Sequence, residues 1–141
     1  MGIIKTPDLY SCSISINGVT HLKKQIKYDI RSSSTKYRDQ LKALIYKQIG
    51  DPESDSQMLQ ISSPALRVKE IKTPVLIIAG RKDEIVPYAQ SDEMVKALRR
   101  AGKEFENMDL EHAPHYIFRY TDQKEEVLNK IEAFLAKYLS S

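Results

Sequence analysis

The chain has 141 residues, with 22 Lys and Arg against 19 Asp and Glu for a formal net charge of +3; 41% of residues are hydrophobic and 29% charged. That is enough apolar material for one modest domain with its own core, and no nucleic-acid partner is expected, because the densest basic spots, Lys23-Lys24 and Arg99-Arg100, are too short for a footprint and read as solvated helix faces. A lone cysteine, Cys12, excludes an intrachain disulfide and a zinc site built on several thiolates. The absence of a long apolar run or of a signal-like N-terminus sets the expectation of a cytoplasmic chain with no membrane partner.

In chain order, residues 11–16 (SCSISI) alternate and end at Asn17-Gly18, which predicts a strand closed by a turn. Cys12 falls in this run and reads as a buried structural thiol. Tyr37, Leu41, Leu44, Ile45 and Ile49 then recur at helical spacing, with Gly50 as a stop. Residues 51–63 are polar, with Pro52 and several serines, and read as a loop or a broken short helix. Residues 74–79 (PVLIIA) form a short continuous apolar run between Thr73 and Gly80, the mark of a strand buried on both faces. A polar loop runs from Arg81 to Pro87.

Tyr88 to Ala101 reads as a helix with Met94, Val95 and Leu98 inward and Gly102 as its C-cap. Residues 104–109 are a weaker, more polar strand, suited to a sheet edge. After a loop over 111–120, Asp122 is a candidate N-cap paired with Glu125. Val127, Leu128, Ile131, Phe134, Leu135, Tyr138 and Leu139 would line one face of a final helix. Strands alternating with helices imply an α/β fold with a parallel sheet covered on both sides. There is no internal repeat and no low-complexity tract.

In such sheets function collects in loops at the carboxyl ends of the strands. The loop after residues 74–79 offers carboxylates, Asp83 and Glu84; the loop after residues 104–109 offers His112 and His115. Adjacent parallel strands set these loops side by side, so a carboxylate–imidazole pair can form between them. Such a pair fixes the imidazole tautomer and supports the imidazolium that forms on proton uptake. Chain order in α/β-hydrolases is nucleophile, acid, histidine. A metal site from the two histidines with Asp83 or Glu111 is the weaker reading, and His21 reads as a surface residue.

The run Ser63-Pro64, Ile71 to Pro87 (IKTPVLIIAGRKDEIVP) and Gln90-Ser91 resembles the acid-loop region of the prolyl-oligopeptidase and acylaminoacyl-peptidase family of serine peptidases. Residues 7–20, with Pro7-Asp8-Leu9-Tyr10 and Asn17-Gly18-Val19-Thr20, resemble the family's segment after its nucleophile helix. The resemblance implies that Asp83 is the catalytic acid and His115 the catalytic histidine. Two departures stand out. Ala113-Pro114 and Tyr116 surround the histidine where the family has glycines, and no G-x-S-x-G motif occurs anywhere in the chain. The resemblance further implies that Met1 to Lys5 correspond to the tail of the elbow helix.

The expectation is therefore one domain, residues 1–141: the C-terminal portion of an α/β-hydrolase catalytic domain, a partial fold of about three parallel strands flanked by helices, lacking the nucleophile elbow. No cofactor and no metal are expected. The expected function is that of a serine hydrolase portion inactive by itself. The alternatives are half of a two-chain peptidase or esterase completed by an N-terminal partner, and a non-catalytic assembly module. A peptide or ester is the substrate expected of the completed enzyme. The open edge of residues 11–16, with Cys12, Ile14 and Ile16, is expected to be covered by a second copy or by that partner.

Overall fold

The computed structural model describes residues 1–120 and 122–139. Its centre is β2 (Val75–Gly80), in which all six residues are buried. β1 (Ser13–Ile16) and β3 (Phe105–Leu110) flank it, both parallel, giving the order β1-β2-β3. Ser13 pairs with Val75 and Ile16 with Ile78 on one side; Val75 pairs with Phe105 and Gly80 with Leu110 on the other. This register brings the carboxyl ends of all three strands to the same side of the molecule.

The period-2 geometry of β2 divides the core into two layers. Val75 and Ile77 face one layer with Ile4, Met94, Ala97 and Leu98. The helices there are α1 (Gly2–Lys5) and α5 (Ala89–Arg100). Leu76 and Ile78 face the other layer with Leu110, Ile117, Val127 and Phe134. Its helices are α6 (Ile117–Tyr120) and α7 (Lys124–Leu139). Full burial of each Ile, Leu or Phe here is worth roughly 1.5–3 kcal/mol, which is why the most hydrophobic run of the sequence becomes the central strand.

The connection from β1 to β2 carries α2 (Leu22–Ser32), α3 (Arg38–Gln48) and α4 (Ser56–Ile61). They meet in a satellite cluster of Ile26, Ile45 and Leu59. The sequence reading assigned no element to residues 22–32. α2 is strongly polar but places Leu22, Ile26 and Ile30 at i, i+4 and i+8, a narrow stripe that packs on this cluster. Of the apolar stripe expected on α3, only Ile45 is buried; Tyr37, Leu44 and Ile49 are exposed.

Three other details differ from expectation. β1 starts at Ser13, two residues late. Asp122 is not the N-cap of α7: Val127 N–H bonds to the Gln123 carbonyl, so the helix begins one residue after the expected position. Leu128 and Leu139 on α7 are exposed, leaving Val127, Ile131, Phe134 and Tyr138 to make the contact with the sheet. The C-cap of α5 is as expected: Gly102 takes φ +62°, and Lys103 N–H bonds to the Leu98 carbonyl at 3.0 Å. Among the described residues no helix is long and apolar enough to cross a membrane.

Candidate active site

The loop after β2 folds back on itself around Asp83. The Asp83 N–H bonds to the Gly80 carbonyl at 3.3 Å, closing a turn. Its side chain then takes over the loop's next two donors: Oδ1 accepts the Ile85 and Val86 N–H groups, each at 2.8 Å. The Asp83 side chain has no solvent exposure, so these donors replace water for a buried carboxylate. Oδ2 remains, and it lies 2.8 Å from Nδ1 of His115.

His115 arrives from the loop after β3, 32 residues further along the chain. An ionised carboxylate only accepts, so Nδ1 carries the proton of this bond and the lone pair of a neutral ring sits on Nε2. The imidazole is 26% exposed, against 0% for its carboxylate partner. Tyr116 packs edge-on to the ring with centroids 5.2 Å apart. The arrangement is a buried acid that orients a histidine whose other nitrogen can take up a proton.

Three strand ends are tied together to hold this geometry. Asn17, the residue after β1, is buried and adopts the left-handed region at φ +48°. Its Oδ1 accepts the Gly80 N–H at 2.8 Å, and its Nδ2 donates to the His115 carbonyl at 2.8 Å and the Pro114 carbonyl at 3.4 Å. One amide side chain therefore fastens β1 to the end of β2 and to the histidine loop. The loops also pair directly, Arg81 N–H to the Leu110 carbonyl at 2.9 Å and Lys82 N–H to the Ala113 carbonyl at 3.1 Å. Gly80 lets them approach, since a Cβ there would overlap the Ala113 carbonyl. Ala113, at one of the positions where glycine was expected, is fully buried in this contact, and the imidazole still reaches Asp83.

The other candidates lie apart from the pair. Glu84 has an exposed side chain and contributes only its carbonyl, which accepts the Tyr28 hydroxyl at 2.9 Å. His112 is exposed. His21 stands at the N-cap of α2, with its Nδ1 buried and unpartnered and its pKa lowered chiefly by burial. Among the described residues no group of three or more His, Cys, Asp or Glu could hold a metal ion.

Three residues do more than the sequence reading gave them. Asn17 was read as a turn former and Gln90 and Ser63 as parts of a motif. Gln90 is buried, and its Oε1 accepts the Thr20 and His21 N–H groups at 3.0 and 2.8 Å, binding the start of α5 to the β1–α2 loop. Ser63 has no exposure; its hydroxyl accepts the Leu22 N–H at 2.9 Å and donates to the Leu59 carbonyl at 2.6 Å.

A parallel sheet between two helical layers, with an acid–histidine pair bridging adjacent strand ends, defines an α/β-hydrolase arrangement. The closely superposing solved structures are of that class. Acylaminoacyl peptidase from Pyrococcus horikoshii matches with a TM-score of 0.79 at 22% identity, over 96% of this chain and 21% of that one. A puromycin-hydrolyzing peptidase from Mycobacterium tuberculosis matches with a TM-score of 0.72 at 21% identity, over 96% of this chain and 19% of that one. The family model of the prolyl oligopeptidase family, peptidase family S9, matches residues 1–141, and the chain belongs to that family. Among curated relatives, dipeptidyl aminopeptidase BIII of Pseudoxanthomonas mexicana is 33% identical over 100 residues, 70% of this chain. The chain spans 14% of that relative's length.

Proposed function

We propose that Asp83 and His115 are the acid and the general base of a serine hydrolase whose nucleophile and oxyanion donors are supplied by residues other than these 141. The observation that carries this reading is the 2.8 Å bond from a fully buried carboxylate to Nδ1 of a partly exposed imidazole. Asp83 holds His115 in the tautomer with Nε2 free. Nε2 then takes the proton of the attacking serine and returns it to the leaving group, while Asp83 stabilises the imidazolium between the two steps.

The missing partner fits the chemistry of the chain. None of its serines stands in a G-x-S-x-G sequence, and Ser63 is buried with both its donor and its acceptor engaged within the domain. Alone, the chain is inactive as a hydrolase; completed, it acts on a peptide, acylated peptide or ester.

The edge of β1 away from β2 pairs with no strand among the described residues. The side chains of Cys12, Ile14 and Ile16 pack partly against the α7-side core, so the open feature is the row of backbone donors and acceptors. In the completed enzyme a further strand occupies that edge.

The test is imidazole nitrogen NMR of the purified chain. In the neutral imidazole of His115 the proton should sit on Nδ1, and Asp83→Ala should release the ring to the mixed tautomers of a free histidine. Mixed tautomers in the unmodified chain would remove the base from the proposal.

A further inference from the structure

We infer that the cleft between α2 and α3 is a binding site for a small amphipathic carboxylate, an acid with an aliphatic or aromatic body. The cleft has a volume of about 570 Å³, within the roughly 300–1,000 Å³ of small-molecule sites. Asp83 and His115 do not line it.

Its charge is one-sided. Lys23, Lys27, Arg31, Arg38 and Lys42 line it, and no carboxylate does. None of the five makes an ion pair with a described residue, although exposed cations elsewhere do, such as Lys24 with Glu93 and Lys96 with Asp92. The nearest acid on α2 is turned away: Asp29 accepts from Gln25 Nε2 at 2.8 Å and lines a different cleft, with Leu41 and Ile45.

Its floor is apolar. Ile26, 1% exposed, lies at the bottom with Ile30, Tyr46 and Pro52 around it. A merely solvated lysine face has no such concave apolar surface beneath it.

Arg38 is anchored at the cleft. Nε of Arg38 is buried without a hydrogen-bond partner, while Nη2 of the same guanidinium donates to the Ser33 carbonyl at 3.2 Å. A guanidinium presents its donors in a fork that fits a carboxylate. A carboxylate head in the cleft would face the Arg38 guanidinium, with Lys42 and Lys27 adding charge. The apolar body would then lie along Ile26, Ile30 and Tyr46. An inorganic anion satisfies the cations and leaves the floor wet; a neutral apolar molecule does the reverse. The combination selects the amphipathic acid.

The experiment is isothermal titration of the full chain with octanoate at low ionic strength, with acetate and 1-octanol as the charge-only and body-only controls. Octanoate should bind at least about tenfold more tightly than either, and more weakly as salt rises. Arg38→Gln and Lys42→Gln should each weaken octanoate, the first by about tenfold, the size expected for a lost charge-assisted hydrogen bond. Lys24→Gln, outside the lining, should leave the affinity unchanged. Thermal melts of each variant show whether the fold is retained, and the exposed Lys42 carries the test if Arg38→Gln does not fold. Equal binding of octanol and octanoate, no heat with octanoate at millimolar concentration, or an affinity indifferent to both lining variants would overturn the assignment.

Discussion

Replacing Asn17 by Ala probes the join on which the Asp83–His115 geometry depends. The substitution removes the acceptor of the Gly80 N–H and the donor to the His115 carbonyl. That carbonyl keeps a second partner, the Ile117 N–H at 3.1 Å, whereas the Gly80 N–H has been left buried and alone. An unsatisfied buried donor costs about 1–3 kcal/mol. Alanine at φ +48° adds up to about 1–2 kcal/mol, a strain that asparagine tolerates better. The expected loss is therefore about 1–5 kcal/mol, a large share of the roughly 5–15 kcal/mol that holds a domain of this size.

Urea unfolding reads this directly, as a lower midpoint at unchanged slope. Two further variants separate the contributions. Asn17→Gly removes the same hydrogen bonds without backbone strain and should regain about 1 kcal/mol over Ala. Asn17→Asp keeps the acceptor for Gly80 but turns a second oxygen toward the Pro114 and His115 carbonyls, and should be no more stable than Ala. A loss below about 1 kcal/mol for Ala, or a Gly variant less stable than Ala, would refute the reasoning.

Two more perturbations follow from the same geometry. Gly80→Ala places a Cβ against the Ala113 carbonyl; it should displace the histidine loop, lower the melting temperature and shift the His115 resonances, and unchanged His115 resonances would contradict the contact. His21 tests pH dependence. Burial holds its folded pKa below the ordinary 6.5, so the unfolded chain takes up the proton first as pH falls. Stability should therefore be intact above pH 6.5 and decline below it, down to the lowered folded pKa. His21→Asn should flatten that part of the profile in urea melts, and an unaltered slope would sink the assignment.

What the sequence revealed and concealed follows from the range of the interactions involved. β2 was legible because burial on both faces leaves a contiguous apolar run, and α5 because its inward residues and Gly102 cap are local signals. The loop after β2 was singled out because it follows the most hydrophobic strand and resembles the family's acid loop; the bonds from Asp83 to the amides two and three residues on are local. α2 was not read as an element, since its apolar stripe is three residues wide among lysines. Asn17, Gln90 and Ser63 are joined to partners 41–98 residues away, and nothing adjacent in sequence announces such bonds. The pairing of Asp83 with His115 also spans 32 residues, but parallel neighbouring strands with polar C-terminal loops gave a geometric reason to expect it.

The central proposal is that Asp83 and His115 are the acid and base of a serine hydrolase whose nucleophile lies outside these residues. Turnover of p-nitrophenyl acetate and aminoacyl anilides by the purified chain, with fluorophosphonate labelling alongside, tests it most directly. The account predicts no turnover above buffer and no labelled residue. Turnover that is abolished by both Asp83→Ala and His115→Ala, together with a labelled serine, would show a nucleophile within these residues and contradict it.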